Sequence, residues 1–368
     1  LEQAVAAPYC SSQLAAMGAR VIKIERKGVG DFCRHYDTVV KGLCSYFVWL
    51  NRGKESLELD IKREVDSQLL HRLISKADVF LENLLPGAAS RSGFDCRKLR
   101  EMYPSLITCS ISGYGSTGKY RAKKAYDLLI QAETGLCSVT GSGQGGPGRV
   151  GVSVADIAAG SNAFAGIQAA LYHRASTGEG SGVEVSLFGG MADWMSVPLL
   201  YQDYTGKAPR RVGLSHPSVC PYGVFTTKDG IDLVISIQNE REWVSFCSVF
   251  FQGGEFCGMR FDNNAKRVSN RAIVDSKIHD VFGSYEISEL ESLLMSAPTP
   301  IAYGIVNDVG RFSEHHNLRR ATARSPNGDI RLVDFPIQFV DQKSQMSHGP
   351  IPFLGEHNRT IRREFSGE

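Results

Sequence analysis

The chain has 368 residues, 42% of them hydrophobic, with 41 Lys and Arg against 39 Asp and Glu. That is enough for a large core and, by length, about two domains, while so even a charge balance offers no broad field for nucleic acid or a membrane surface. No apolar run approaches the roughly 18–20 residues that cross a bilayer, and the start lacks the charged-then-apolar pattern of a signal peptide.

The elements follow in order. Leu14-Ala-Ala-Met-Gly-Ala19 reads as a helix end and Gly turn, and Arg20-Val-Ile-Lys-Ile-Glu25 as a strand. Ser56–Asp60 alternates as a second strand, and Ser67–Lys76 carries Leu69, Leu70, Leu73 and Ile74 at helical spacing. Ala77–Leu81 and Leu106–Ile111 are buried-type strands with a helix, Asp95–Met102, between them. Asp156–Ala175 predicts a helix, and Gly182–Ser186 a returning strand. Strands alternating with helices predict an α/β domain with a doubly wound parallel sheet. From about Pro198 the texture changes. Tyr222–Gly230 and Ile231–Ile237 predict a hairpin with an Asp-Gly turn, Glu240–Phe251 and Ser288–Met295 helices, and Ile301–Val306 and Asp329–Val333 strands. The resulting division is a large domain over 1–197, a linker over 198–214, a small α+β domain over 215–310, and a segment 311–368 returning to the large domain.

Nine cysteines form no Cys-x-x-Cys pair, and no His-Glu-x-x-His or Gly-x-Ser-x-Gly occurs. Reduced thiols inside a cell, no metal, and neither a zinc protease nor an ordinary serine hydrolase are the expectation. The compartment expected is the cytoplasm, or a mitochondrial matrix. Gly141-Ser-Gly-Gln-Gly-Gly146 matches Gly-x-Gly-x-x-Gly formally, but Pro147-Gly148 follows and no helix opens there. It reads as a mobile loop and a candidate cover for a site, rather than a dinucleotide cradle.

The stretch with most chemistry is Gly151-Val-Ser-Val-Ala-Asp156-Ile-Ala-Ala-Gly160. A strand-like run reaches one carboxylate where a small-residue helix begins, which places Asp156 at an N-cap. There the helix dipole and backbone N–H groups would keep it ionised, the state a nucleophile needs. A purely structural cap has the same sequence. Arg26, beside Gly28 and Gly30, follows a strand, as does Asn83, with Arg91 further on. Basic residues at strand ends suit phosphate groups, although each alone is more often a solvated surface charge. Lys123-Lys124-Ala-Tyr126-Asp127 joins two cations, a phenol and a carboxylate.

Leu14–Ala19, Val21–Arg26, Glu82-Asn-Leu-Leu-Pro-Gly87, Ser112-Gly-Tyr-Gly115, Tyr126-Asp127 and Val154-Ala-Asp156 occur in the order found in class III coenzyme A transferases. The chain resembles that family, which includes formyl-CoA transferases, carnitine-CoA transferases and the related α-methylacyl-CoA racemases. The resemblance implies Asp156 as the catalytic aspartate, with Tyr126 and Asp127 beside the thioester. It implies Arg26, Asn83, Arg91 and Lys124 along the coenzyme, acyl-CoA and a carboxylic acid as substrates, and no tightly bound cofactor. It also implies a Rossmann-like large domain and an interlocked homodimer, and a first strand that would precede Leu1. Where the racemase branch has histidine, this chain has Tyr126; a phenol, ordinarily ionising near ~10, is a poor base at neutral pH. Transfer is therefore favoured over racemisation, with a non-catalytic CoA-binding role as a further alternative. Glu2–Pro8, Tyr126–Gly141 and Ser236–Trp243 look most like the branch handling C4–C5 dicarboxylates such as succinate, mesaconate, itaconate or citramalate. Arg34, His35, Arg211 and His216 are candidate partners for a second substrate carboxylate.

Overall fold

A computed structural model describes residues 1–252, 254–340 and 349–366. The chain divides into two units, one made of 1–137, 149–199 and 319–368, the other of 138–148 and 200–318.

The first unit is mixed α/β with parallel strands. β1 (Val21–Arg26) pairs with β2 (Lys54–Leu59), Val21 opposite Lys54. β3 (Val79–Glu82), β4 (Ile107–Ser112) and β5 (Gly182–Ser186) form a second parallel sheet in that order. Leu1 runs alongside β3, its ammonium donating to Leu81 O at 3.0 Å and its carbonyl accepting the Asn83 N–H at 3.3 Å. The strands lie where β-branched and aliphatic residues cluster, and each parallel pair is joined through helix, since parallel neighbours need a crossover connection.

The helix Val154–Thr177 organises this unit. Its buried side is Ala155, Ala158, Ala159, Gly160, Ala163, Ile167 and Ala170, a face narrow enough for another helix to press onto. The first helix, Ala6–Ala16, does so. A Cβ at Gly160 would stand 2.5 Å from Ala6 O and 3.0 Å from Tyr9 Cδ1, so only glycine permits that approach. These helices, with Cys109 and Ile111 of β4, form one apolar cluster.

A second feature is ionic. Lys23, Lys54, Glu2 and Asp31 are all buried. Lys54 Nζ donates to Glu2 Oε1 at 2.7 Å, to Pro8 O and to Asn51 Oδ1, while Lys23 Nζ donates to Asp31 Oδ2 at 2.8 Å and reaches Glu2 Oε1 at 3.3 Å. Asp31 also accepts the N–H of Ala4 and of Cys33. Burial alone would neutralise these groups; mutual pairing keeps them charged, and Glu2 and Asp31 are held below the usual carboxylate range. Ala4, with φ +58°, is thereby fixed in the left-handed region.

In the second unit, β6 (Tyr222–Thr226), β7 (Asp232–Ser236) and β8 (Ala302–Ile305) form an antiparallel sheet in sequence order. Trp243, Phe246, Phe250, Phe282 and Leu290 pack its core. The segment 138–148 groups here, and Arg211 donates to the carbonyls of Ser138, Ser142 and Gly145. No helix opens within Gly141–Gly146. Helix Ser196–Thr205 covers the first part of the stretch read as polar linker. Back in the first unit, β9 (Arg320–Ala323) and β10 (Ile330–Val333) pair antiparallel. No helix among the described residues is long and apolar enough to cross a membrane.

Candidate active site

A cavity of about 560 Å³ opens in the first unit, and Asp156, Asp127, Tyr126, Lys124 and Asn83 all line it. Gln3–Ala6, Phe32, Tyr36, Tyr46, Arg149 and Ser153 complete much of its wall.

The expected N-cap is not where the structure puts Asp156. The helix is capped at Ser153, and Asp156 is its third residue, preceded by irregular backbone rather than a strand. Ser153 makes no capping bond with its side chain. The acceptor comes from elsewhere: Asp127 Oδ1 takes the N–H of Ala155 at 2.8 Å. Asp127 starts the short helix Asp127–Glu133, and its other oxygen accepts from Gln131 Nε2, one turn on, at 2.7 Å. Gln131 is fully buried, and its Oε1 accepts the Val150 N–H at 2.9 Å. One carboxylate and one amide thus fix both the start of the long helix and the strap leading to it.

That arrangement reverses the expected electrostatics of Asp156. Burial first, and then the Asp127 charge, push its carboxyl up to about 7. The dipole of a helix N-terminus contributes ~0.3–1 kcal/mol to a nearby anion, too little to offset desolvation plus a like charge. Asp156 is therefore evenly divided between acid and carboxylate at neutral pH, not held ionised as a cap would be.

The other residues singled out from sequence are distributed. Tyr126 lines the cavity with its ring exposed. Asn83 also lines it, but its side chain is engaged: Oδ1 accepts the Gln3 N–H at 2.8 Å and Nδ2 donates to Gln3 O at 2.9 Å. It clamps the wall rather than offering a free amide. Lys124 is exposed and has no side-chain hydrogen bond or ion pair among the described residues. Its neighbour Lys123 is bound to Glu133, which Tyr114 Oη also contacts. Arg26 and Arg91 do not line this cavity. Arg26 ends β1 with an exposed side chain, and Arg91 borders a separate hollow with Lys62 and Gln68, donating to Pro86 O at 3.4 Å.

The four candidates for a second carboxylate are otherwise occupied or elsewhere. Arg34 is paired with Glu25 at 2.7 Å and lies over the Phe47 ring. His35 Nε2 sits 3.2 Å from Val29 O. Arg211 and His216 belong to the second unit, where His216 Nδ1 accepts the Ser218 N–H.

Sequence reasoning missed an aromatic wall, Phe32, Tyr36 and Tyr46, with successive ring centroids 5.8 and 5.9 Å apart. Tyr46 Oη also approaches Ser153 Oγ at 3.4 Å. It missed Gln131 and Arg149 as well. Aromatic spacing over Phe32–Trp49 was the available signal; nothing local distinguishes Gln131 from any helical glutamine.

Comparison with known proteins identifies the family. The model of CoA-transferase family III matches residues 1–358. An acetyl-CoA:oxalate CoA-transferase of Acetobacter aceti is 33% identical, the alignment covering 98% of this chain and 92% of that one. A succinate–glutarate CoA-transferase of Agrobacterium fabrum is 34% identical over 99% of this chain and 93% of its own. The crystal structure of a CaiB/BaiF family protein from Brucella suis superimposes with a TM-score of 0.83 at 30% identity, covering 99% and 97% of the two chains. The chain belongs to CoA-transferase family III, an enzyme family whose substrates are CoA thioesters.

Proposed function

We propose that this enzyme moves coenzyme A between dicarboxylic acids of about two to five carbons through covalent intermediates on Asp156. The observation that carries the reading is a half-buried carboxyl, pushed up to about 7 by desolvation, in a cavity shared with a lysine that has no partner among the described residues. Similar proteins are named for oxalate, succinate, glutarate, mesaconate and citramalate, and diacids are the common factor.

Asp156 as carboxylate attacks the thioester carbonyl of the donor acyl-CoA, and the C–S bond breaks to release CoA thiolate. The product on the enzyme is a mixed anhydride. The thiolate then attacks the Asp156 carbonyl of that anhydride, expelling the donor acid as its carboxylate and leaving an aspartyl-CoA thioester. The acceptor carboxylate repeats the exchange in reverse and restores Asp156. No step consumes water, so thioester energy is retained where water is excluded. Lys124 meets the coenzyme near the thioester, Arg26 and Arg91 take its nucleotide and phosphate end, and Asn83 holds the Gln3 wall alongside it. Tyr126 lies beside the acyl group, and Asp127 positions the helix that carries the nucleophile. The large domain is read as Rossmann-like and the working form as an interlocked homodimer.

The test is chemical trapping. After incubation with succinyl-CoA, hydroxylamine should convert Asp156 to its hydroxamate, located by mass spectrometry, and Asp156→Ala should lose at least ~10⁴-fold in transfer while still binding CoA. An unmodified Asp156 in enzyme that still transfers CoA would sink the covalent reading.

A further inference from the structure

We infer that Arg149 grips the far carboxylate of the dicarboxylic acid, and so sets the preference of this site for diacids over monoacids. This rests on the transferase reading above. A diacid whose near carboxyl reacts at Asp156 leaves a second anion inside the cavity, and that anion needs a cation to replace its water. Three cations line the cavity, Lys123, Lys124 and Arg149. Lys123 is bound to Glu133. Lys124 precedes Tyr126 by two residues and is assigned to the coenzyme. Arg149 remains. Its one side-chain bond in the described structure is from Nε to Val150 O at 3.1 Å; neither terminal nitrogen has a protein partner, and neither Asp127 nor Asp156 pairs with it.

Its backbone, in contrast, is fixed. Gln131 holds the adjacent Val150 N–H, and Asp127 holds both Gln131 and the N–H of Ala155, one residue before the reactive carboxyl. The strap that carries Arg149 is therefore registered to the segment that carries Asp156. A guanidinium with two free donors in parallel matches a carboxylate bidentately, whereas an ammonium offers only a point charge. Its long side chain, tied to protein among the described residues only through Nε, can also follow acids of different length.

The experiment uses succinyl-CoA as donor and compares glutarate with its monoamide, glutaramate, as acceptors. Because the donor is common, it cancels from the ratio of kcat/KM values. The intact enzyme should favour glutarate by about 10- to 100-fold, the usual range for a hydrogen-bonded charge contact. Arg149→Gln should bring the two acids within about threefold, and Arg149→Lys should fall between. The inference is overturned if Arg149→Gln, with an unshifted melting temperature, keeps the original ratio or weakens both acids equally. It is overturned equally if Lys124→Gln collapses the ratio instead. Unmutated enzyme that transfers CoA to no dicarboxylate would overturn the transferase reading itself, a result separable from an unmoved ratio.

Discussion

With its carboxyl pushed up to about 7 by burial and by the Asp127 charge, Asp156 is ionised in about half of the free molecules at neutral pH. The proposed nucleophile is the ionised form, so kcat/KM should fall tenfold per pH unit below about 7 and level off above it. Asp127→Asn removes the like charge and should move that acid limb to lower pH. The asparagine can still accept the Ala155 N–H, but its amide then faces the Gln131 amide donor to donor, so stability should drop by about 1–2 kcal/mol. A limb that does not move in Asp127→Asn would show that burial alone sets the value. Stability responds oppositely at Asp156. Its folded pKa lies above the unfolded value near ~4, so the folded chain holds an extra proton between those values. The stability present below pH ~4 is lost as pH rises through about 7. Asp156→Asn should accordingly stabilise the protein by about 1–3 kcal/mol at pH 8 and hardly at all at pH 4. Denaturant titrations at the two pH values check this, and an equal gain at both would refute it.

At the scale of elements, two contacts hold the wall of the cavity, and they fail differently. The first helix lies so close to Val154–Thr177 that a methyl group at Gly160 would meet Ala6 O at 2.5 Å. Ala6 itself lines the cavity. Gly160→Ala should therefore cost about 1–3 kcal/mol and also weaken acyl-CoA binding, read as a rise in KM. The buried ionic cluster is more severe. Glu2→Gln leaves Lys54 and Lys23 short of their shared anion and should cost about 3–5 kcal/mol, measured as a lowered denaturation midpoint. A change below ~1 kcal/mol would mean that water or another carboxylate replaces Glu2.

How far the sequence foretold these elements depends on what each one needs. The strands were legible because Arg20–Glu25, Ala77–Leu81 and Leu106–Ile111 carry their own apolar pattern, and each falls within a residue or two of an observed strand. The start of the long helix was not. Its cap acceptor is supplied by Asp127, 28 residues upstream, and a local rule credits the nearest carboxylate instead. The same limit hid Arg149, whose distinction is that its two terminal nitrogens have no partner among the described residues, a property of the fold. It also made Arg34 look available, when Glu25 had already taken it.

For the whole molecule, the proposed interlocked dimer has a kinetic signature. Two rings threaded through one another cannot exchange chains without unfolding, so tagged and untagged enzyme mixed under native conditions should form no mixed dimers over days. Prompt mixing would rule the threading out. One more property follows from the carboxyl at the end of the cavity. Carbodiimides activate the protonated form of a carboxylic acid, and at pH 6.5 ordinary surface Asp and Glu have lost that proton. Asp156 retains it, and among the described carboxylic acids Asp275 is the other that burial pushes upward, though it stands near Arg271. The raised carboxyl that is proposed as the nucleophile would thus mark itself for selective chemical labelling, and acyl-CoA occupying the cavity should shield it.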